Sequence, residues 1–108
     1  MEETQPGTIV KEETEVDARL APRWHVILLD DNDHSYEYVI EMLQKVFAKS
    51  AQDAFAHAKE VDASGRTILL TTSKEHAELK QDQIHSYGPD FRIPRCAGSM
   101  SADIEPAD

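Results

Sequence analysis

Cys96 is the only cysteine in 108 residues, so no intrachain disulfide can form. A chain of this kind suits a reducing cytosol better than an oxidising compartment. Long apolar runs are missing too. The longest, Val26 to Leu29, is four residues, against the roughly twenty needed to cross a bilayer. No secretory leader is legible, because Met1 to Leu20 is acidic where such a segment needs a basic start and an apolar middle. The expected location is cytoplasmic. Basic residues are also scarce: after Pro22, nine Lys and Arg are scattered among fifteen Asp and Glu, and the whole chain carries a formal charge of −10. Nucleic-acid binders gain affinity by clustering cations against phosphates. Nucleic acid and anionic membrane surfaces are therefore excluded as expected partners. Cationic groups fit better, including the ammonium at the start of another chain.

Catalytic signatures are absent as well. There is no Gly-rich phosphate loop, no G-x-S-x-G elbow and no H-E-x-x-H pair. Of the five histidines (25, 34, 57, 76 and 85), His76 and His85 share a predicted helix but stand nine residues apart. That is too far for two imidazoles on adjacent turns to share a zinc. Cys96 has no assignable base, so it reads as a bystander thiol rather than a nucleophile. The chain is expected to be non-enzymatic, without a cofactor, and to act as a monomer.

What is present is enough for one small domain: 40% hydrophobic and 30% charged residues. Residues 1–22 carry six acids against two bases, contain Pro6, Gly7 and Pro22, and lack sustained periodicity. They read as a flexible tail, unable to bury enough apolar surface to offset the entropy of ordering. The domain is expected over residues 23–108. Trp24 to Leu29 (WHVILL) reads as a buried strand, apolar on both faces. After a polar run, Tyr36, Val39, Ile40, Leu43, Val46 and Phe47 recur at helical spacing. Ser50 can cap a second helix with Asp53 in its first turn, an apolar side of Ala51, Ala54, Phe55, Ala58 and Val61, and Gly65 beyond its end. Arg66 to Thr72 predicts a second strand. Thr72-Ser73-Lys74-Glu75 has the form of a capping box and opens a third helix to about Ser86. Tyr87 to Arg95, with Gly88, Pro89 and Pro94, is loop, and Met100 to Glu105 predicts a last strand. The fold class is α+β in the order β-α-α-β-α-β, with helices packed on a three-stranded antiparallel sheet.

The turn Asp30-Asp31-Asn32-Asp33-His34 is the most unusual local feature. It is not an EF-hand, because it follows a strand and lacks the central Gly that such a loop needs. An acidic turn complementing the next helix N-terminus is one reading. An ammonium site built from carboxylates is another.

The stretch WHVILLDDNDHSYEYVIEMLQKVF resembles the hallmark of the ClpS family, a hydrophobic strand running into an Asn-Asp-Asp-like turn and a helix of the form M-E-F-V-x-x-x-L. Glu37, Tyr38, Val39 and Leu43 stand at matching places. His76-Ala77-Glu78-Leu79-Lys80 falls where that family has its A-E-x-K signature, and Val26 to Gly88 can be laid against the pattern without a gap. The resemblance implies a β-α-α-β-α-β adaptor that recognises N-terminal degron residues and delivers the bearer to a Clp-type AAA+ unfoldase. On this pattern Asp30, Asp31 and Asp62 bind the amine, with Asp30 in place of the usual Asn and Asp62 in place of a His. His34 (for Thr), Tyr36 (for a Met gatekeeper), Val39, Ala58 (for a bulky Met), Val61 and Met100 line the pocket. Ser35 replaces the Pro that opens the helix. Glu75 and Lys80 dock on the unfoldase N-terminal domain, and the tail assists handover. The implied partners are that unfoldase and proteins or peptides with a free N-terminus, aromatic or otherwise large and hydrophobic. Two alternatives remain at this point. One is a modulator that docks without binding N-termini, and the other is a metal-binding domain built on Asp30, Asp31, Asp33, His34 and Asp62.

Overall fold

Trp24–Leu29 forms the central strand, β1, and both of its edges are paired. β2 (Arg66–Thr72) runs antiparallel on one side and β3 (Ala102–Pro106) antiparallel on the other, giving the order β2-β1-β3. The computed structural model describes residues 21–31, 33–94 and 96–107. The first twenty residues of the expected tail lie outside these. Three helices lie between the strands: α1 (Tyr36–Phe47), α2 (Ala51–Ser64) and α3 (Lys74–His85). This is the α+β arrangement and element order that the sequence predicts.

Each helix begins on a serine. The Ser35, Ser50 and Ser73 hydroxyls accept from the backbone N–H three residues on, at Tyr38 (3.1 Å), Asp53 (3.0 Å) and His76 (3.2 Å), satisfying donors that the first helical turn leaves unpaired. The cap of α3 is thus Ser73 and not Thr72, which the capping-box spacing favours. Thr72 is still in the sheet, opposite Trp24. Gly65 ends α2 in the left-handed region at φ 86°, where a Cβ would be strained.

One sheet face carries the core. Val26 and Leu28 from β1 and Leu69 from β2 pack with Tyr38, Val39, Met42 and Leu43 of α1, Ala54, Ala58 and Val61 of α2, and Ala77 and Ile84 of α3. The buried face of α1 is rotated from the expected one: Tyr38 and Met42 point inward, whereas Tyr36 lies at the surface. Phe55 of α2, also expected inside, is 46% exposed. The register of β2 slips between Val26↔Leu70 and Ile27↔Ile68, leaving Leu69 as a bulge. On the opposite face, Arg66 and Glu105 pair at 3.0 Å from the two edge strands across β1, the face on which Ile27 is buried.

Contacts at the end of the sheet set up the site. Asp30 N–H donates to the Gly65 carbonyl and Leu29 N–H to that of Ser101, each at 3.0 Å. These bonds bring the turn after β1, the C-terminal end of α2 and the approach to β3 together. Gln81 and His85 of α3 both bind Ala102, at 2.8 and 3.1 Å, fixing where β3 begins. That strand starts two residues later than expected, and Met100 turns into the core ahead of it.

Candidate functional site

Where these segments meet there is a hollow of about 300 Å³, part of it open to solvent, lined by Asp30, Asp31, His34, Ser35, Tyr36, Val39, Ala58, Val61, Asp62 and Met100. All nine residues that the family resemblance assigns to the amine site and the pocket border it. Ser35 is the one addition.

Its interior is apolar. Val39, Ala58, Val61 and Met100 are each at most 4% exposed. Its rim is acidic. Asp31 Oδ1 accepts from Asp33 N–H (2.9 Å) and meets His34 Nδ1 (2.7 Å), so this oxygen holds the turn in shape. Asp62 Oδ2 accepts from the Tyr36 hydroxyl at 2.8 Å. Among the described residues, the Asp30 carboxylate, Asp31 Oδ2 and Asp62 Oδ1 accept no hydrogen bond. Carboxylate oxygens grouped at the edge of an apolar hollow are acceptors for a cationic donor that has an apolar group attached.

His34 is a wall of the site with no polar atom left to offer. Its side chain is 3% exposed. Nδ1 meets Asp31, Nε2 meets the Gly98 carbonyl at 2.8 Å and lies 3.3 Å from Cys96 Sγ. The ring tilts against Tyr38 at 4.5 Å. Cys96 is thereby part of the packing behind the pocket.

Tyr36 crosses the mouth from α1 to α2. Its hydroxyl reaches Asp62, and its ring meets Phe55 edge-on at 5.9 Å. Donation to Asp62 raises the Tyr36 pKa, helped by partial desolvation and the charges of Asp62 and Asp30.

Asp90 supports the site and is missed by sequence reasoning, since its turn-rich surroundings read only as loop. It is 1% exposed. It accepts from Ser35 N–H (2.7 Å), Arg92 N–H (3.0 Å) and Arg92 Nη1 (3.3 Å), while Arg92 Nη2 reaches Glu41 at 2.6 Å. Burial pushes this carboxyl up, but the bonds from Ser35 and Arg92 outweigh it and hold the value at about 2. The start of α1, where Tyr36 sits, is thus tied to the loop before β3.

Glu75 and Lys80 lie apart from the hollow and from one another. Five residues on a helix turn through about 140°, so they do not share a face of α3. Glu75 is exposed and borders a groove with Ala21, Pro22, Trp24, Ser73 and Lys74. Lys80 is half-buried. Its ammonium donates to the Val46 carbonyl at 2.6 Å and lies 5.4 Å from the centre of the Phe47 ring. Among the described residues, no three His, Cys, Asp or Glu side chains are placed to share a metal ion. The metal-binding alternative therefore gains nothing from the geometry. No described helix is long and apolar enough to cross a membrane.

Residues 19–91 match the family model of the ATP-dependent Clp protease adaptor protein ClpS. This chain belongs to the ClpS family. It is similar to the ClpS adapter of Synechococcus elongatus, 30% identical over 94% of this chain and 96% of that one. To the ClpS adapter of Acetivibrio thermocellus it is 31% identical, over 83% and 91%. Among solved structures it matches Agrobacterium tumefaciens ClpS2 bound to L-phenylalaninamide. The TM-score is 0.68 at 21% identity, covering 79% of this chain and 96% of that one, and the likeness is one of fold. ClpS proteins are adaptors of the Clp protease and not enzymes, in keeping with the missing catalytic motifs.

Proposed function

We propose that this ClpS chain captures proteins by a free N-terminal amine followed by a large hydrophobic or aromatic side chain, and passes them to a Clp-type AAA+ protease. The observation that carries this reading is the acidic rim of Asp30, Asp31 and Asp62 around an apolar hollow. The α-ammonium group meets the unpaired carboxylate oxygens, and the first side chain enters between Val39, Ala58, Val61 and Met100, with His34 and Tyr36 as walls. L-phenylalaninamide, bound by the Agrobacterium relative, has the same two parts, an α-amine and an aromatic side chain. Glu75 and Lys80, on different faces of α3, both take part in docking on the N-terminal domain of the unfoldase, residues 23–108 act as the adaptor domain, and residues 1–22 assist handover in the cytoplasm.

The test is a binding scan of peptides differing only in their first residue, each with an N-acetylated twin. Charge-assisted hydrogen bonds are roughly twice as strong as neutral ones, so acetylation is expected to weaken binding more than tenfold. Equal affinity for free and acetylated peptides overturns the reading. It would favour the modulator that docks on the unfoldase and ignores N-termini. One feature supports that second reading: Asp62, which stands in place of a His, is already bonded to Tyr36.

A further inference from the structure

Phe55 is a large apolar side chain left 46% exposed beside the mouth of the hollow. The core does not use it. Its edge meets Tyr36, and the Lys59 ammonium lies 5.7 Å from its ring centre. It shares a stripe of α2 with Ala58 and Asp62, since positions i, i+3 and i+7 fall on one helix face. Seven residues at 1.5 Å each place Asp62 about 10 Å further along the axis. The acids thus gather at the C-terminal end of α2, where Asp30 is tied to Gly65, and Phe55 stands at the other side of the mouth.

We infer that Phe55 is a specificity-determining contact for the second residue of the bound chain, favouring an apolar or aromatic side chain there. The inference rests on the N-terminal reading above. A first residue has a tetrahedral Cα. With its amine at the carboxylates and its side chain in the hollow, its carbonyl must leave on the side away from the acids. That side is the Phe55 side. The next Cα follows 3.8 Å on, which puts the second side chain within reach of the exposed ring.

The experiment uses the full chain and labelled peptides beginning Phe-Gly, Phe-Leu and Phe-Trp, identical thereafter, with acetylated controls. The wild type is expected to bind Phe-Leu and Phe-Trp about threefold to tenfold more tightly than Phe-Gly, the scale of one aromatic contact. In Phe55→Ala this spread collapses, over and above any common change in affinity from losing the contact with Tyr36, and Phe55→Leu restores part of it. A merely structural role would instead lower all three affinities together and leave their spread intact. That result overturns the inference, as does a spread that survives Phe55→Ala. Binding that needs the free amine but is indifferent to the second residue overturns this inference alone. Failure of every free-amine peptide to bind overturns the N-terminal reading and this one with it.

Discussion

The Tyr36 hydroxyl donates to Asp62 Oδ2 at 2.8 Å, bridging the first residue of α1 and the last turn of α2 over the mouth of the pocket. On the proposed N-terminal reading, an incoming ammonium group shares that carboxylate or displaces the phenol from it. Tyr36→Phe keeps the ring against Phe55 and removes the competing donor. The expected outcome is an affinity for free-amine peptides about threefold to tenfold higher, the scale of one net hydrogen bond. Fluorescence anisotropy measures it, and a tenfold loss would mean the hydroxyl assists binding instead. The same bridge has a spectroscopic signature. Because the bond to Asp62 raises the Tyr36 pKa, its phenol should ionise above the ordinary range, and Asp62→Ala should bring it back down in an NMR titration.

Asp90 links the stability of the fold to pH in the acid range. Its ordinary value of 3.8 falls to about 2 in the folded chain, so the native state prefers the ionised form. The stabilisation is complete above about pH 4 and is lost as the pH falls from there toward 2. Asp90→Asn presents amide protons to donors at Ser35 and Arg92, at an expected cost of about 2–3 kcal/mol at neutral pH. Urea unfolding at several pH values checks both points. The variant should show a shallower loss of stability below pH 4 than the wild type, and an identical slope would remove Asp90 from this role.

Much of this was legible in the sequence because it is local. The spans of β1 and β2, the cap at Ser50 and the stop at Gly65 follow from short-range patterns, whereas the residues around the pocket follow from the family resemblance alone. The phase of α1 was not. YEYVIEMLQKVF is apolar at so many positions that two stripes fit the helical period. The choice is made by contacts far along the chain: the Tyr38 hydroxyl on the Gly88 carbonyl at 2.6 Å and the Tyr38 ring edge-on to Tyr87 at 5.4 Å. The capping-box spacing favours Thr72 in isolation, and the pairing of Thr72 in the sheet leaves the cap to Ser73. Asp90 and Cys96 carried no periodic signal, since their partners at Ser35 and His34 lie 55 and 62 residues away.

The two proposed docking residues should separate on mutation. Glu75 is exposed, and no described residue bonds its carboxylate. Glu75→Lys is therefore expected to abolish binding to a Clp-type N-terminal domain at a small cost in stability, about 0.5 kcal/mol, from reversing an acid in the first turn of α3. Lys80 differs, because its ammonium satisfies the Val46 carbonyl at the end of α1. Lys80→Glu is expected to lose docking and about 1 kcal/mol of stability together. Calorimetric binding and thermal melts on both variants test the assignment. Docking that survives Glu75→Lys would show that this face of α3 is not the contact.

The remaining question is which first side chain the hollow accepts. Ala58 leaves room on α2, and the Tyr36 ring, set between Asp62 and Phe55 on the same helix stripe, fills part of it from α1. Such a wall is rigid where a thioether would repack. It offers an aromatic ligand edge-to-face or offset contact that an aliphatic one cannot match. N-terminal Phe, Tyr or Trp is therefore expected to bind about threefold to tenfold better than Leu, and β-branched Ile and Val to be rejected at the narrowed mouth. Tyr36→Met should erase the aromatic advantage, Ala58→Met should weaken all large side chains by filling the hollow, and the double variant should recover Leu. Peptides differing only at the first residue, measured against all four proteins, decide it. A preference for Leu over every aromatic residue, unchanged by Tyr36→Met, would show that the ring at the mouth does not select the ligand.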